Sequence, residues 1–166
     1  MKTCLGLFIE IVSMSVFHVL ADDVKMDAWG PITNDVQMMV CIADGKTLTT
    51  NQPLELLVSY RNLSASETFI IYNMKAVALD ATYSFSVVSP SGKDVSPHAS
   101  DSLNGSAENY PIVPGRKIDF EINLDHLCKF NEIGTYKITL KKMIFRDSMN
   151  KWFTVVSNPL NVVILD

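Results

Sequence analysis

The chain is short of the residues that most catalytic and metal chemistry depends on. It has three histidines, three cysteines and seven glycines in 166 residues. The glycines fall mostly singly, at turns. No phosphate-cradling loop and no dinucleotide fingerprint can be built from them. Basic residues are sparse and scattered, the densest run being Lys141-Lys142, and the formal net charge is −4. That balance lacks the basic patch that nucleic acids or anionic membrane surfaces require. Long apolar runs are absent after residue 20, so no later segment suits a membrane span. What remains is 48% apolar and 19% charged. Such a composition supports a sizeable core and excludes global disorder. The length suits one domain.

The N-terminus is different in kind. Lys2 precedes a mostly apolar run from Cys4 to Leu20, and Val19-Leu20-Ala21 places small residues before Asp22. This predicts a signal peptide over 1–21 and a secreted or periplasmic product. Glu10 and His18 interrupt the run, which keeps an uncleaved anchor as the competing reading. Removing 1–21 takes away one charge of each sign, so the net charge stays at −4. It also removes Cys4, leaving Cys41 and Cys128. An exported chain with two cysteines permits one disulfide, and two buried free thiols are the alternative.

Beyond an extended lead-in over 22–33, the sequence reads as strands and turns. Val36, Met38, Val40 and Ile42 alternate with Gln37, Met39 and Cys41. Leu54, Leu56, Val58 and Tyr60 alternate with Glu55, Leu57, Ser59 and Arg61. Further strands are predicted over 67–72, 82–88, 117–124, 136–144 and 152–164. The cleanest alternation is Ile118, Phe120, Ile122 and Leu124 against Lys117, Asp119, Glu121 and Asn123, which suits a sheet with one wet face. Pro159 cannot sit inside a ladder, so Asn158-Pro159 predicts a bulge or kink. Residues 97–111 are polar and read as a long loop, a place where function or mobility concentrates. The whole reads as an all-β, immunoglobulin-like antiparallel β-sandwich of about seven to nine strands over 34–166. In that setting Tyr136, two residues after Gly134, reads as a corner tyrosine whose hydroxyl bonds nearby backbone.

Catalytic constellations are missing. His98 is followed by Ser100 and Asp101, but in a loop without a nucleophile elbow. Asp125, His126 and Cys128 form the one cluster of metal-ligand types, and no further ligands lie at motif spacing. The expectation is a protein without enzymatic activity, metal or cofactor. Asn62-Leu-Ser64 and Asn104-Gly-Ser106 match the N-glycosylation acceptor pattern. Trp29, Tyr110 and Trp152 sit near turns and are the candidates for a partner surface.

A resemblance can be read from the turns. Trp29-Gly-Pro31, Arg61-Asn-Leu-Ser64, Val88-Ser-Pro-Ser-Gly-Lys93, Val113-Pro-Gly115, Gly134-Thr-Tyr136 and Val156-Ser-Asn-Pro-Leu160 occur in that order. In this the chain resembles small exported immunoglobulin-like domains of bacteria over about residues 29–165. It is also similar, more weakly, to the intracellular proteinase inhibitor (BsuPI-like) family of Bacillus-type bacteria. The first resemblance implies the fold alone; the missing catalytic constellation and the export signal together predict a non-enzymatic binding module for a protein or glycan partner. The second implies a proteinase inhibitor acting through the 97–111 loop or a strand edge. A metal-binding protein is the third expectation, resting on Asp125, His126 and Cys128.

Overall fold

The computed structural model describes residues 28–43, 48–49, 53–74, 83–97, 107–124 and 128–166. The predicted signal peptide over 1–21 and most of the lead-in, 22–27, lie outside the described residues. The described chain is an all-β sandwich of ten strands: β1 (Val36–Ile42), β2 (Leu48–Thr49), β3 (Glu55–Asn62), β4 (Phe69–Met74), β5 (Tyr83–Val88), β6 (Ala107–Ile112), β7 (Lys117–Asn123), β8 (Gly134–Arg146), β9 (Lys151–Val156) and β10 (Leu160–Leu165). No helix among the described residues is long and apolar enough to cross a membrane.

One sheet has three antiparallel strands in the order β1-β3-β7. The other is built around β8, thirteen residues long. Along one side of β8 lie β10 and then β9. Along the other lie β5 and then β4, and β6 continues outward from β4. β9 and β10 are one strand in two pieces, broken by Ser157, Asn158 and Pro159 as the proline predicts. The break ties the two sheets together. The Asn158 amide accepts from the Val40 N–H at 2.9 Å and donates to the Val40 carbonyl, while Ser157 bridges Met38.

Period-two patterning decides which way each strand faces. Val36, Met38 and Val40 from β1, Leu56, Val58 and Tyr60 from β3, and Tyr136, Ile138, Leu140 and Ile144 from β8 all enter one core. Each such aliphatic side chain contributes on the order of 1.5–3 kcal/mol of burial. Lys142 occupies the same inward row and is fully buried. Its ammonium donates to the Tyr72 carbonyl at 2.7 Å and stands 3.7 Å over the Tyr83 ring, whose hydroxyl accepts from Tyr60.

Two expectations change. The polar stretch 97–111 is not one loop: Ala107–Ile112 is strand β6, paired antiparallel with β4. Its polar composition and Pro111 hide it from pattern reading, and both are tolerated because β6 is a sheet edge. The disulfide is not formed; Cys41 and Cys128 are both free and buried. β1 turns Cys41 to the outward side of the small sheet, with its sulfur 3.8 Å from the Leu57 carbonyl, whereas Cys128 joins the core between the sheets. The sheet itself stands between them, and no side-chain rotation can bring two such thiols to bonding geometry.

Tyr136 is fully buried and its hydroxyl accepts from the Glu132 N–H at 2.8 Å. The Glu132 carboxylate in turn accepts from the Ser91 hydroxyl and N–H, which holds its pKa below the ordinary range. Replacing Tyr136 by Phe keeps the ring and leaves the Glu132 N–H without its acceptor. We expect a loss of about 1 kcal/mol with no change of fold, read by urea denaturation.

Candidate functional site

The structure does not bring the three candidate aromatics to one surface. Trp29 lies against the small sheet, with the Arg61 guanidinium 4.2 Å over its ring. Arg61 donates to the Gln37 side-chain carbonyl at 2.8 and 2.6 Å, and Gln37 donates to the Gly30 carbonyl at 2.8 Å. This chain of contacts docks residues 28–33 onto β1 and β3. Tyr110 turns inward from β6, packs edge-on to Phe120 at 5.1 Å, and donates to Glu108. Only Trp152 is broadly exposed, at 46%.

Trp152 stands on the outward face of the larger sheet, where the register gathers apolar residues. Phe145 on β8 is paired with Trp152 on β9 and with Ile70 on β4, and Ile70 is paired with Pro111 on β6. These four form a transverse row across four strands. Tyr72, two residues from Ile70 on β4, shares the face. Its ring lies 5.0 Å from Trp152 and 6.0 Å from Phe145, while Phe145 and Trp152 are 5.2 Å apart. Met143, two residues from Phe145, is 40% exposed. Mutual contact restricts the three rings, which leaves them little ordering entropy to lose. Further along the same face, Lys137 and Lys141 are exposed. The arrangement is an apolar aromatic platform with cationic side chains at one end. Such a surface can desolvate an apolar or ring-bearing group.

Of this cluster, the sequence reading named Trp152 and not Ile70, Tyr72, Met143 or Phe145. A signal was present. The outward row of β8 runs Thr135, Lys137, Thr139, Lys141 and then switches to Met143 and Phe145. A wet face that turns apolar over two successive outward positions marks a patch.

The remaining candidates divide. His98, Ser100, Asp101, Asp125 and His126 lie outside the described residues, as does Asn104-Gly-Ser106. Among the described residues, no three side chains of metal-ligand type come together. Cys128 is buried in the core and its thiol is pushed up to about 11 by desolvation. The Cys41 thiol is raised too, chiefly by burial. A thiol in such surroundings holds its proton and attacks poorly. Iodoacetamide at neutral pH is therefore expected to label neither cysteine in the folded protein over minutes, and both once urea unfolds it, as intact mass will show. Asn62 is 1% exposed and its amide is fully engaged, so it offers no glycan attachment point in the fold.

The described residues form an all-β sandwich with a cluster of aromatic side chains on the outward face of its larger sheet. No protein-family model and no curated protein sequence matches the chain. Solved structures are similar in backbone, two of them as follows. One is the X-ray structure of Northeast Structural Genomics Consortium target SoR45, with TM-score 0.49 and 10% identity over 80% of this chain and 89% of that one. The other is the C-terminal domain of wzt, with TM-score 0.45 and 12% identity over 83% of this chain and 77% of that one.

Proposed function

We propose that this protein is a non-enzymatic, exported binding module, an immunoglobulin-like sandwich that takes a protein or glycan partner on the outward face of its larger sheet. The observation that carries this reading is the contact trio Tyr72, Phe145 and Trp152, flanked by Ile70 and exposed Met143. A sheet face that serves only to meet water carries polar residues at these positions. Large aromatics held together on a sheet are instead what recognition surfaces use, because tryptophan and tyrosine supply most of the energy at interfaces.

The test is a glycan array and an affinity capture from envelope and secreted fractions, run with the wild-type chain and with Trp152→Ala. Trp152 is too exposed to hold the fold, so the variant is expected to lose less than about 1 kcal/mol of stability. Binding is expected to weaken about thirtyfold, the factor for a hot-spot loss of about 2 kcal/mol. A partner retained equally by both proteins overturns the platform. No partner for either overturns the binding module.

A further inference from the structure

Among the described residues, the sandwich is closed on one side and open on the other. On the closed side, Asn158 and Ser157 stitch the β9–β10 break to β1. On the open side, β7 ends the small sheet and β6 ends the larger one. The step in burial across the last ladder shows the opening. Leu56, Val58 and Tyr60 on β3 are fully buried, yet their register partners Ile122, Phe120 and Ile118 on β7 are only half-buried, although they face inward too. A shallow groove of 390 Å³ runs along the β7 edge, lined by Leu57, Tyr110, Ile118, Asp119, Phe120 and Glu121.

The ladder also fixes which backbone groups of β7 are committed. The Leu124 N–H donates to the Leu54 carbonyl and the Asn62 N–H to the Arg116 carbonyl. In an antiparallel pair, hydrogen-bonded positions alternate. The even positions 118, 120 and 122 therefore bond β3, and the odd positions Lys117, Asp119 and Glu121 aim their N–H and C=O groups away from it. Among the described strands, none pairs with that edge. The side chains of these odd residues stand on the outward face, where Asp119 and Glu121 are both exposed.

We propose that the free edge of β7 accepts an extended segment of another protein as an added antiparallel strand. Its inward side chains are apolar and cover Ile118, Phe120 and Tyr110; its outward side chains are basic and face Asp119 and Glu121. Strand addition draws affinity from main-chain hydrogen bonds and selectivity from alternate side chains, and both sets of groups stand ready on this edge. A lysine- or arginine-bearing strand meets both Asp119 and Glu121 with opposite charge, which a second copy of β7 does not. Two β7 strands paired about Phe120 set Asp119 opposite Glu121 twice, and a pairing about Asp119 gains two Lys117–Glu121 pairs but sets that carboxylate against itself. Like charges directly opposite destabilise a ladder. Lys117, paired with Asp119 at 3.1 Å, offsets that carboxylate only in part, because the pair is exposed to water. The same acidic pair that repels a copy attracts a lysine- or arginine-bearing strand.

The probe is a capped synthetic peptide of alternating lysine and valine, roughly seven residues long to match a strand. Its control has the same composition with the lysines and valines in two blocks. Binding is followed by fluorescence polarisation and by amide hydrogen exchange of the full chain. We expect saturable binding of the alternating peptide, with new protection at the Asp119 and Glu121 amides. Glu121→Pro removes one edge donor and no ladder bond, so the fold should persist while binding weakens about tenfold, the effect of losing one edge hydrogen bond together with strand fit. Glu121→Lys should weaken it similarly, and more at low salt than at high salt. Trp152→Ala should bind as wild type, which separates this edge from the platform. The proposal is overturned if the alternating peptide fails to bind, if the block peptide binds as well, if protection appears elsewhere, or if Glu121→Pro binds undiminished.

Discussion

Gly30→Ala is expected to lower the unfolding free energy by about 3 kcal/mol, at the upper end for overpacking. The reason is proximity and nothing else. A Cβ on residue 30 would lie 2.2 Å from the Val156 carbonyl oxygen, 2.7 Å from the Ser157 carbonyl carbon and 2.9 Å from the Asn158 nitrogen. All three are backbone atoms at the end of β9 and in the β9–β10 break, which is itself pinned to β1 and β8. They cannot swing aside as a side-chain tip would. The chain must instead release residues 28–33, losing the Gly30–Met38 hydrogen bond, the Gln37–Gly30 bond and the stacking of Arg61 on Trp29. Gly92→Ala makes the contrast. Gly92 has φ +81 and open space around its Cβ direction, so only backbone strain acts there and about 1 kcal/mol is expected. Urea denaturation of both variants checks the pair. A Gly30→Ala protein as stable as wild type would mean that the lead-in does not dock as described.

The sandwich was legible because its inner strands alternate strictly. β1 and β3 show inward rows of Val, Met, Leu and Tyr, and both rows are buried as their spacing requires. Pro159 and the Gly134–Tyr136 spacing marked two irregular places correctly, since proline and glycine act through local sterics that sequence records directly. β6 was not legible. Its pairing with β4 rests on backbone hydrogen bonds that carry no side-chain signature, and an edge strand is free to be polar. Strand order was likewise hidden. The clean alternation of β7 records one wet face but not its neighbours; β7 is an edge, and its apolar row is half-buried for that reason. Lys142 could have been found. The even rows of β8 put residue 142 between Leu140 and Ile144 on the inward face, so period alone outweighs the usual expectation for lysine.

The site was half legible for a related reason. Trp152 stood out as a bulky residue beside a turn. Tyr72 and Phe145 did not, because each lies in a strand that also supplies buried neighbours. Only the register of β4, β8 and β9 shows that they share the opposite face from Phe69, Ile71 and Ile144. A patch made of single residues from several strands has no linear signature. It exists once the sheet is assembled, which is why the outward switch at Met143 and Phe145 is the one clue in the chain.

Asn62→Ala is expected to cost about 3 kcal/mol, within the range for breaking a buried polar network. Asn62 ends β3 with its side chain 1% exposed. Its amide donates to the Glu67 carbonyl at 2.7 Å and to the Ile112 carbonyl at 2.8 Å, and its side-chain oxygen accepts from the Ser64 N–H at 2.8 Å. Those partners lie on the loop after β3 and on β6, so one side chain fastens the small sheet to the edge of the larger one. Alanine leaves two carbonyls and one N–H without it, in a site largely closed to water. Asparagine to aspartate should be worse at neutral pH, because a carboxylate would face the same two carbonyl oxygens with nothing to donate. Expression in a glycosylating host adds a second reading of the same geometry. The acceptor pattern at Asn62-Leu-Ser64 is intact, yet the folded amide has no spare hydrogen and no room for a sugar. Peptide mapping should find Asn62 unmodified, and a glycan there on folded, stable protein would contradict the buried placement on which the stability prediction also rests.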